Sequence, residues 1–278
     1  MRQRIWQRLK SDPVAIGSAI LVLAIALVAV LAPLLTPYPY DAQDNQHLLQ
    51  APTKEHLMGT DNLGRDLLSR LIYGARLSLT IGVLTAATAM LIGTLYGAIS
   101  GYVGGWLDNS LMRCVDVVYA LPDLLLIILI KTMIEQDLLG ILLALSLVSW
   151  VTVARIIRGE VLRLRESAYV EAARALGMSH VRILLRHVLP NTMGPLIVTL
   201  TFRIPAAILA ESTLSFVGIG IHPPMASWGS LAQEGWSAMK FYPHMILFPS
   251  LAIFITMLAF NFLGDSLRDF FDPERRQA

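Results

Sequence analysis

The 278-residue chain is predicted to be an all-α integral membrane protein with six transmembrane helices. Two observations carry that expectation. The sequence is 55% hydrophobic and only 15% charged, against roughly 25% charged in soluble domains, with a mean hydropathy of +0.60. The apolar residues also collect into runs near the ~20 residues that cross a bilayer, separated by polar, turn-rich segments.

The runs lie at 14–35, 77–99, 111–130, 138–157, 192–210 and 244–264. Before the first, Arg2, Arg4, Arg8 and Lys10 resemble the basic start of a secretion signal. A signal's apolar region is about 7–15 residues long, and Val14 to Leu35 exceeds it, so a retained helix is expected. In the second run Gly93 and Gly97, with Gly101 and Gly105 after them, recur every fourth residue. Such a face is thin and lets a neighbouring helix approach closely. Gly101 and Gly105 should fall past the membrane end, so packing is expected at Gly93 and Gly97.

The third run carries Arg113, Asp116 and Asp123, and Cys114, the single cysteine. One cysteine forbids an internal disulfide, and Cys114 reads as a small buried filler. The fourth leads into an arginine-bearing polar loop. The fifth carries Arg203 and Pro205, with Glu211 just beyond. The chain divides into 1–76 (tail, first helix and an extracytoplasmic loop) and 77–278 (a five-helix core with its loop at about 158–190). The segments at 36–76 and 212–243 are turn-rich, and neither reads as a domain with its own core.

Orientation follows from Lys and Arg, which accumulate on the cytoplasmic side. With the N-terminus inside, fifteen of the 22 basic residues fall in inside segments and six outside, leaving Arg203 within a span. Both termini and the loop around Glu171 are then cytoplasmic. A net charge of +2 suggests no nucleic-acid partner.

Several chemistries lack their residues. There is no Gly-x-x-x-x-Gly-Lys-Ser/Thr phosphate loop, no His-Glu-x-x-His, no Cys-x-x-Cys and no Gly-x-Ser-x-Gly. The six histidines show no close metal-ligand spacing. No catalytic, metal or cofactor site is expected.

The polar loop reads as two short helices joined at a glycine. Ser167 is a candidate N-cap accepting from a first-turn N–H, and Ala168 to Leu176 are mostly helix formers. Gly177 stands where a left-handed residue ends a helix. Ser179 can cap a second helix that must stop before Pro190, with Val181, Leu184, Leu185 and Val188 on one face. Ala172, Ala173 and Ala175 leave a slim surface suited to a partner's groove. A connector lying on lipid headgroups fits the same residues.

Glu171-Ala172-Ala173-x3-Gly177-x9-His187-x-Leu189-Pro190 resembles the EAA signature of permease subunits of ABC importers, with His187 where the pattern usually has Ile. Gly59-Thr60-Asp61-x-x-Gly64-Arg65-Asp66, Leu214-Ser215-Phe216-x-Gly218-x-Gly220, Ser227-Trp228-Gly229 and the segment from Phe260-Asn261 to Asp272-Pro273 resemble the peptide and nickel branch of that family. The likeness is nearest to C-type permeases of oligopeptide or dipeptide transporters.

The resemblance implies a type I importer fold in a bacterial inner membrane. It implies a homologous second permease, two ATPase subunits that hold ATP and Mg, and an extracytoplasmic binding protein. It also implies that Glu171, Ala172, Ala173, Gly177, Leu189 and Pro190 form the surface that couples to the ATPase. Nickel or dipeptide import is the alternative cargo. For the Gly-Thr-Asp segment the residues themselves argue a structural role: Asp61 and Asp66 cap turns and the glycines permit positive φ.

Arg203, Glu211 and Asp123 are the candidate translocation-path residues, with Asp116 nearer the inner face. An ionisable group at membrane depth costs at least ~2.5 kcal/mol unless it meets protein or water. Arg203 and Glu211 either line the path or contact the partner permease, or else the fifth span is short and both reach its ends. A stand-alone secondary transporter would need midplane ion sites and paired inverted halves, and the first half holds no second copy of the broken fifth span.

Overall fold

The computed structural model describes residues 12–134 and 136–271. Arg2, Arg4, Arg8 and Lys10, together with Asp272-Pro273, Arg275 and Arg276, lie outside the described residues. Among the described residues the architecture is helical, apart from an isolated bridge between Thr60 and Asp66. Five segments are long and apolar enough to cross a membrane: Pro13–Val30, Leu67–Val103, Asp137–Arg165, His180–Phe216 and His244–Phe271.

The expected span at 111–130 is not one helix. It is α4 (Gly105–Tyr119) and α5 (Asp123–Thr132), parted at 120–122. Pro122 has no N–H to donate and disfavours helical backbone at Leu121. Cys114 on α4 is exposed, not a buried filler.

The other spans differ mainly at their ends. Asp12 caps α1 (Pro13–Val30) by accepting from the Val14 N–H at 3.0 Å. Leu31 separates α1 from the short α2 (Ala32–Leu35), so the first run is two pieces. α3 (Leu67–Val103) begins well before 77 because Asp66 caps it, accepting from the Ser69 N–H and hydroxyl, both at 2.8 Å. Such a cap stabilises a helix by about 1 kcal/mol. Arg70 and Arg76, expected in a loop, are therefore helical. α6 (Asp137–Arg165) runs past 157 into the polar loop.

The loop contains α7 (Ala168–Ala175) and α8 (His180–Ile183). α8 does not stop before Pro190. It passes through a π segment, Leu184–Val188, and a 3-10 turn, Leu189–Thr192, into α9 (Met193–Phe216). The wider π winding lets the Leu189 N–H reach the Leu184 carbonyl. The Asn191 amide donates to the His187 carbonyl at 2.6 Å and the Thr192 hydroxyl to that of Leu189 at 2.8 Å. Pro190 is carried without ending the helix. α11 (His244–Phe271) completes the bundle, and its final ring, Phe271, packs on Gly194 at the loop end of α9.

The central contact is the crossing of α3 and α6. A Cβ on Gly93 would lie 2.6 Å from Val153 Cβ, one on Gly97 would strike the Ala154 carbonyl, and one on Gly101 would lie 2.8 Å from the Arg158 carbonyl. The glycine stripe thus extends one turn further than expected, and only Gly105 leaves it, with open space around it. Ala89, Ala98, Val153, Ile157 and Val161 fill the seam.

At the end of the seam nearer the Glu171 loop Arg158 grips Asp108 with two bonds of 2.6 Å, and the Ser100 hydroxyl donates to the same carboxylate. Arg165 donates to the carbonyls of Gly101 and Tyr102, at 3.2 and 3.3 Å, where α3 runs out of helical partners.

The opposite end is closed by α10 (Trp228–Ala238), a helix not expected from sequence and started by a Ser227–Ser230 capping box. The Trp228 indole donates to the Leu71 carbonyl at 3.0 Å. The segments at 36–76 and 212–243 share one core, with Leu49 and Met58 packing on Leu67, Ala226, Leu231 and Met245. Beside it Arg70, fully buried, pairs with Asp61 and Glu234, both at 2.5 Å, and Arg65 pairs with Asp61 at 2.7 Å. The Gly-Thr-Asp segment is therefore a buried ionic clasp.

Gly97→Val should separate α3 from α6 and cost about 1–3 kcal/mol through overpacking. Gly159→Ala, on the same α6 but with nothing near its Cβ, should be neutral or stabilising by about 0.5–1 kcal/mol. Unfolding midpoints of the purified protein in detergent check the pair.

Candidate functional site

α7 hangs from the end of α6. Ser167 occupies the N-cap position, but its hydroxyl donates to the Leu164 carbonyl at 2.5 Å instead of accepting a first-turn N–H. The cap expected there is made by backbone alone. Gly177 ends α7 at φ +76°. Two bonds close the turn: the Met178 N–H to the Ala173 carbonyl at 3.1 Å and the Gly177 N–H to that of Arg174 at 3.0 Å. This is a Schellman motif, with Met178 and Ala173 meeting in one apolar cluster.

That cluster mounts the loop on the α3–α6 seam. Val170, Ala173, Ile183 and Val188 are buried against Ala98, Tyr102, Val161 and Leu164. Of the residues expected to face an ATPase, Glu171, Ala172, Gly177 and Pro190 are exposed. Ala173 is buried and Leu189 half-buried against the seam, so these two hold the loop from within. The expected apolar face of the second helix divides: Val188 is buried and Leu184 packs inward, while Val181 and Leu185 are exposed. Ile183, unremarked in the sequence, takes their inward place.

The tip is apolar where water would favour polar residues. Leu176 is 86% exposed, and Tyr169, Val181 and Leu185 are exposed with it. Sequence reading passed over Leu176, although a leucine directly before a helix-ending glycine in a polar loop is a readable signal. His187 is half-buried, and its Nε2 has no partner. Glu171 and Arg174 border a cleft with Tyr102, Arg165 and His180.

The charged residues of the third and fifth spans fall into two groups. Asp116 pairs with Arg155 of α6 at 2.5 Å, and the Arg155 guanidinium lies 3.9 Å over the Tyr119 ring. Asp123, at the start of α5, is exposed, and Arg203 of α9 is half-buried. Glu211 is different. It lies inside α9, fully buried, accepting from the Ser215 hydroxyl at 2.7 Å, with Ser212 and Ser227 beside it. It neither reaches the end of a short span nor lines an open surface in this conformation. Its second carboxylate oxygen, Oε2, is buried with no hydrogen-bond partner.

Comparison with known proteins gives the family. Residues 93–277 match the profile of the binding-protein-dependent transport system inner membrane component. Residues 1–52 match the N-terminal TM domain of oligopeptide transport permease C.

The chain belongs to the family of binding-protein-dependent transport system inner membrane components.

Relatives in this family include the oligopeptide transport system permease protein OppC of Bacillus subtilis, 41% identical over 97% of this chain and 88% of the relative. The dipeptide transport system permease protein DppC of the same species is 42% identical over 99% and 86%. The glutathione transport system permease protein GsiD of Pectobacterium atrosepticum is 39% identical over 98% and 91%. Among solved structures, an inward-facing methionine ABC transporter chain superposes with TM-score 0.61 at 16% identity, covering 74% of this chain and 98% of that one. It shares the fold. Both the Glu171–Pro190 loop and the charged groups of the third and fifth spans fall inside the main family match.

Gly177→Ala should strain the turn, since a side chain at positive φ costs about 1–2 kcal/mol. Hydrogen exchange should quicken at Met178 while the α3–α6 seam keeps its protection.

Proposed function

We propose that this family member is one of two homologous halves of an ATP-driven importer for peptides, with oligopeptides favoured. The observation that carries the reading is the loop at Ala168–Pro190. It presents an exposed leucine and three further exposed apolar side chains on a helical bend anchored by buried residues to two long helices. The tip sits beside Glu171, Arg174 and Arg182, all exposed, and the family match across this loop favours a groove on an ATPase over lipid headgroups as its partner.

In this reading the chain has no ATPase site and no cofactor of its own, and ATP and Mg sit on two partner ATPases. Glu171, Ala172, Gly177 and Pro190 face the ATPase, and Ala173 and Leu189 set their position. A binding protein delivers cargo from outside. The excess of basic residues in the loop and tails supports cytoplasmic termini in a bacterial inner membrane. The named relatives move an oligopeptide, a dipeptide and glutathione, all peptides. Arg203 and Asp123 border the cargo's route, in the core that begins with α3.

The coupling follows from population arithmetic. ATP binding shifts the permease only as far as the ATPase contacts the loop differently in the two states. Because the loop is packed on α3 and α6, a displacement of its tip is a displacement of those helices.

Leu176→Asp should reduce ATPase co-purification and abolish peptide uptake in reconstituted vesicles, while leaving the unfolding midpoint unchanged because the side chain touches little of its own chain. Retained ATPase association with normal uptake would remove the docking role from this surface.

A further inference from the structure

A cavity of about 570 Å³ opens between α4 and α6, lined by Asn109, Met112, Arg113, Asp116, Arg155 and Arg158. Its volume is that of a small-ligand site. Two of its three arginines are fixed by the protein. Arg155 donates to Asp116 at 2.5 Å and lies 3.9 Å over the Tyr119 ring. Arg158 holds the buried Asp108 with two bonds of 2.6 Å. Arg113 is exposed and closes no ion pair among the described residues. Three guanidiniums thus meet two carboxylates, and the charge left over is that of Arg113. The lining needs one more anion to balance it.

The cavity lies at the depth of the lipid headgroups. The apolar run of α6 ends at 157, and Arg158, Glu160, Arg163 and Arg165 follow, so Arg155 and Arg158 straddle the boundary. Trp106, in the first turn of α4, is 80% exposed, and tryptophan gathers where hydrocarbon gives way to water. Val117 and Ile156, next in sequence to Asp116 and Arg155, are exposed apolar side chains. A basic cavity between helices with apolar surface beside it matches both parts of an anionic lipid, the headgroup and the acyl chains. A free anion in water would use the arginines and leave the apolar flank unused.

We propose that the α4–α6 cavity binds the headgroup of an anionic phospholipid, whose phosphodiester accepts from Arg113 together with Arg155 and Arg158. A guanidinium has five N–H donors in a planar fork, so an arginine already bonded to a carboxylate still has donors for a phosphate. A single phosphodiester charge balances Arg113. A zwitterionic headgroup brings a cation of its own, which a lining already in excess of positive charge opposes. The bound lipid ties α4, through Arg113, to α6, through Arg155 and Arg158. The inference uses only the membrane placement of the chain and does not depend on the cargo.

The test titrates the complete purified transporter in detergent with phosphatidylglycerol and reads the dissociation constant of the first bound lipid by native mass spectrometry. Arg113→Gln should weaken that binding at least about ten-fold, as loss of a charge-assisted contact does, against about five-fold for a basic residue at a diffuse anionic surface. Arg76→Gln, an exposed arginine of α3 outside the cavity, should leave it unchanged. Arg113→Lys keeps the charge and should recover most of the loss, and phosphatidylcholine should bind the unaltered transporter at least about ten-fold more weakly. Unchanged binding in Arg113→Gln overturns the site, and so does equal weakening in Arg76→Gln, which would mean attraction by overall charge. Displacement of phosphatidylglycerol by an equal concentration of inorganic phosphate would show a simple anion site and overturn the lipid assignment. Displacement by trialanine but not by its C-terminal amide would give the cavity to a cargo carboxylate and overturn it as well.

Discussion

The close approach of α3 and α6 is the constraint on which the remaining structure depends. Three glycines remove the side chains that would hold the helices apart, so backbone meets backbone at Gly93, Gly97 and Gly101. In a membrane no hydrophobic force brings helices together, and contact of this kind supplies the van der Waals packing that does. The seam fixes where Arg158 and Arg165 reach, to Asp108 near the start of α4 and to the last carbonyls of α3. It also supplies the surface on which Val170, Ala173, Ile183 and Val188 seat the Ala168–Pro190 loop. A loop on a flexible tether could bind an ATPase but could not transmit its movement.

Charge is used differently at the two ends of the bundle. At the end closed by α10, Asp61, Arg65, Arg70 and Glu234 are nearly all satisfied by one another, and Arg70 is fully buried. Removing one partner from such a buried set leaves an uncompensated charge, which typically costs about 3–5 kcal/mol. Deeper in the spans, Asp123 lies exposed at the start of α5 and Arg203 is half-buried on α9. Glu211 is fully buried and only half satisfied: one carboxylate oxygen accepts from the Ser215 hydroxyl and the other has no partner.

Much of this was readable from sequence, for identifiable physical reasons. An apolar run of bilayer length is poorly suited to anything but a membrane span, and a glycine every fourth residue has a direct geometric meaning. Gly177 at the end of a helix-forming run announced its positive φ. The residues that misled were those whose outcome depends on distant neighbours. Pro190 should stop a helix, but a π segment and two side chains, Asn191 and Thr192, absorb it. Pro122 carried the opposite lesson, because the expected span ran across a break that local sterics require. The division of Val181 and Leu185 from Val188 came from the α3–α6 surface, which helical periodicity alone does not contain. α10 was hidden because its start depends on a capping box in a glycine- and proline-rich stretch.

The central claim is that the coupling loop and the α3–α6 seam move as one body. It is tested most directly by pulsed electron paramagnetic resonance on the assembled transporter, with Cys114 replaced by serine and spin labels at Leu176 on the loop tip and Leu84 on α3, both exposed. The distance between the two labels within one chain should be the same with and without bound ATP, while the distance between the loop labels of the two permease halves shortens. A change in the Leu176–Leu84 distance on ATP binding would mean that the loop swings on its own, and would contradict the account.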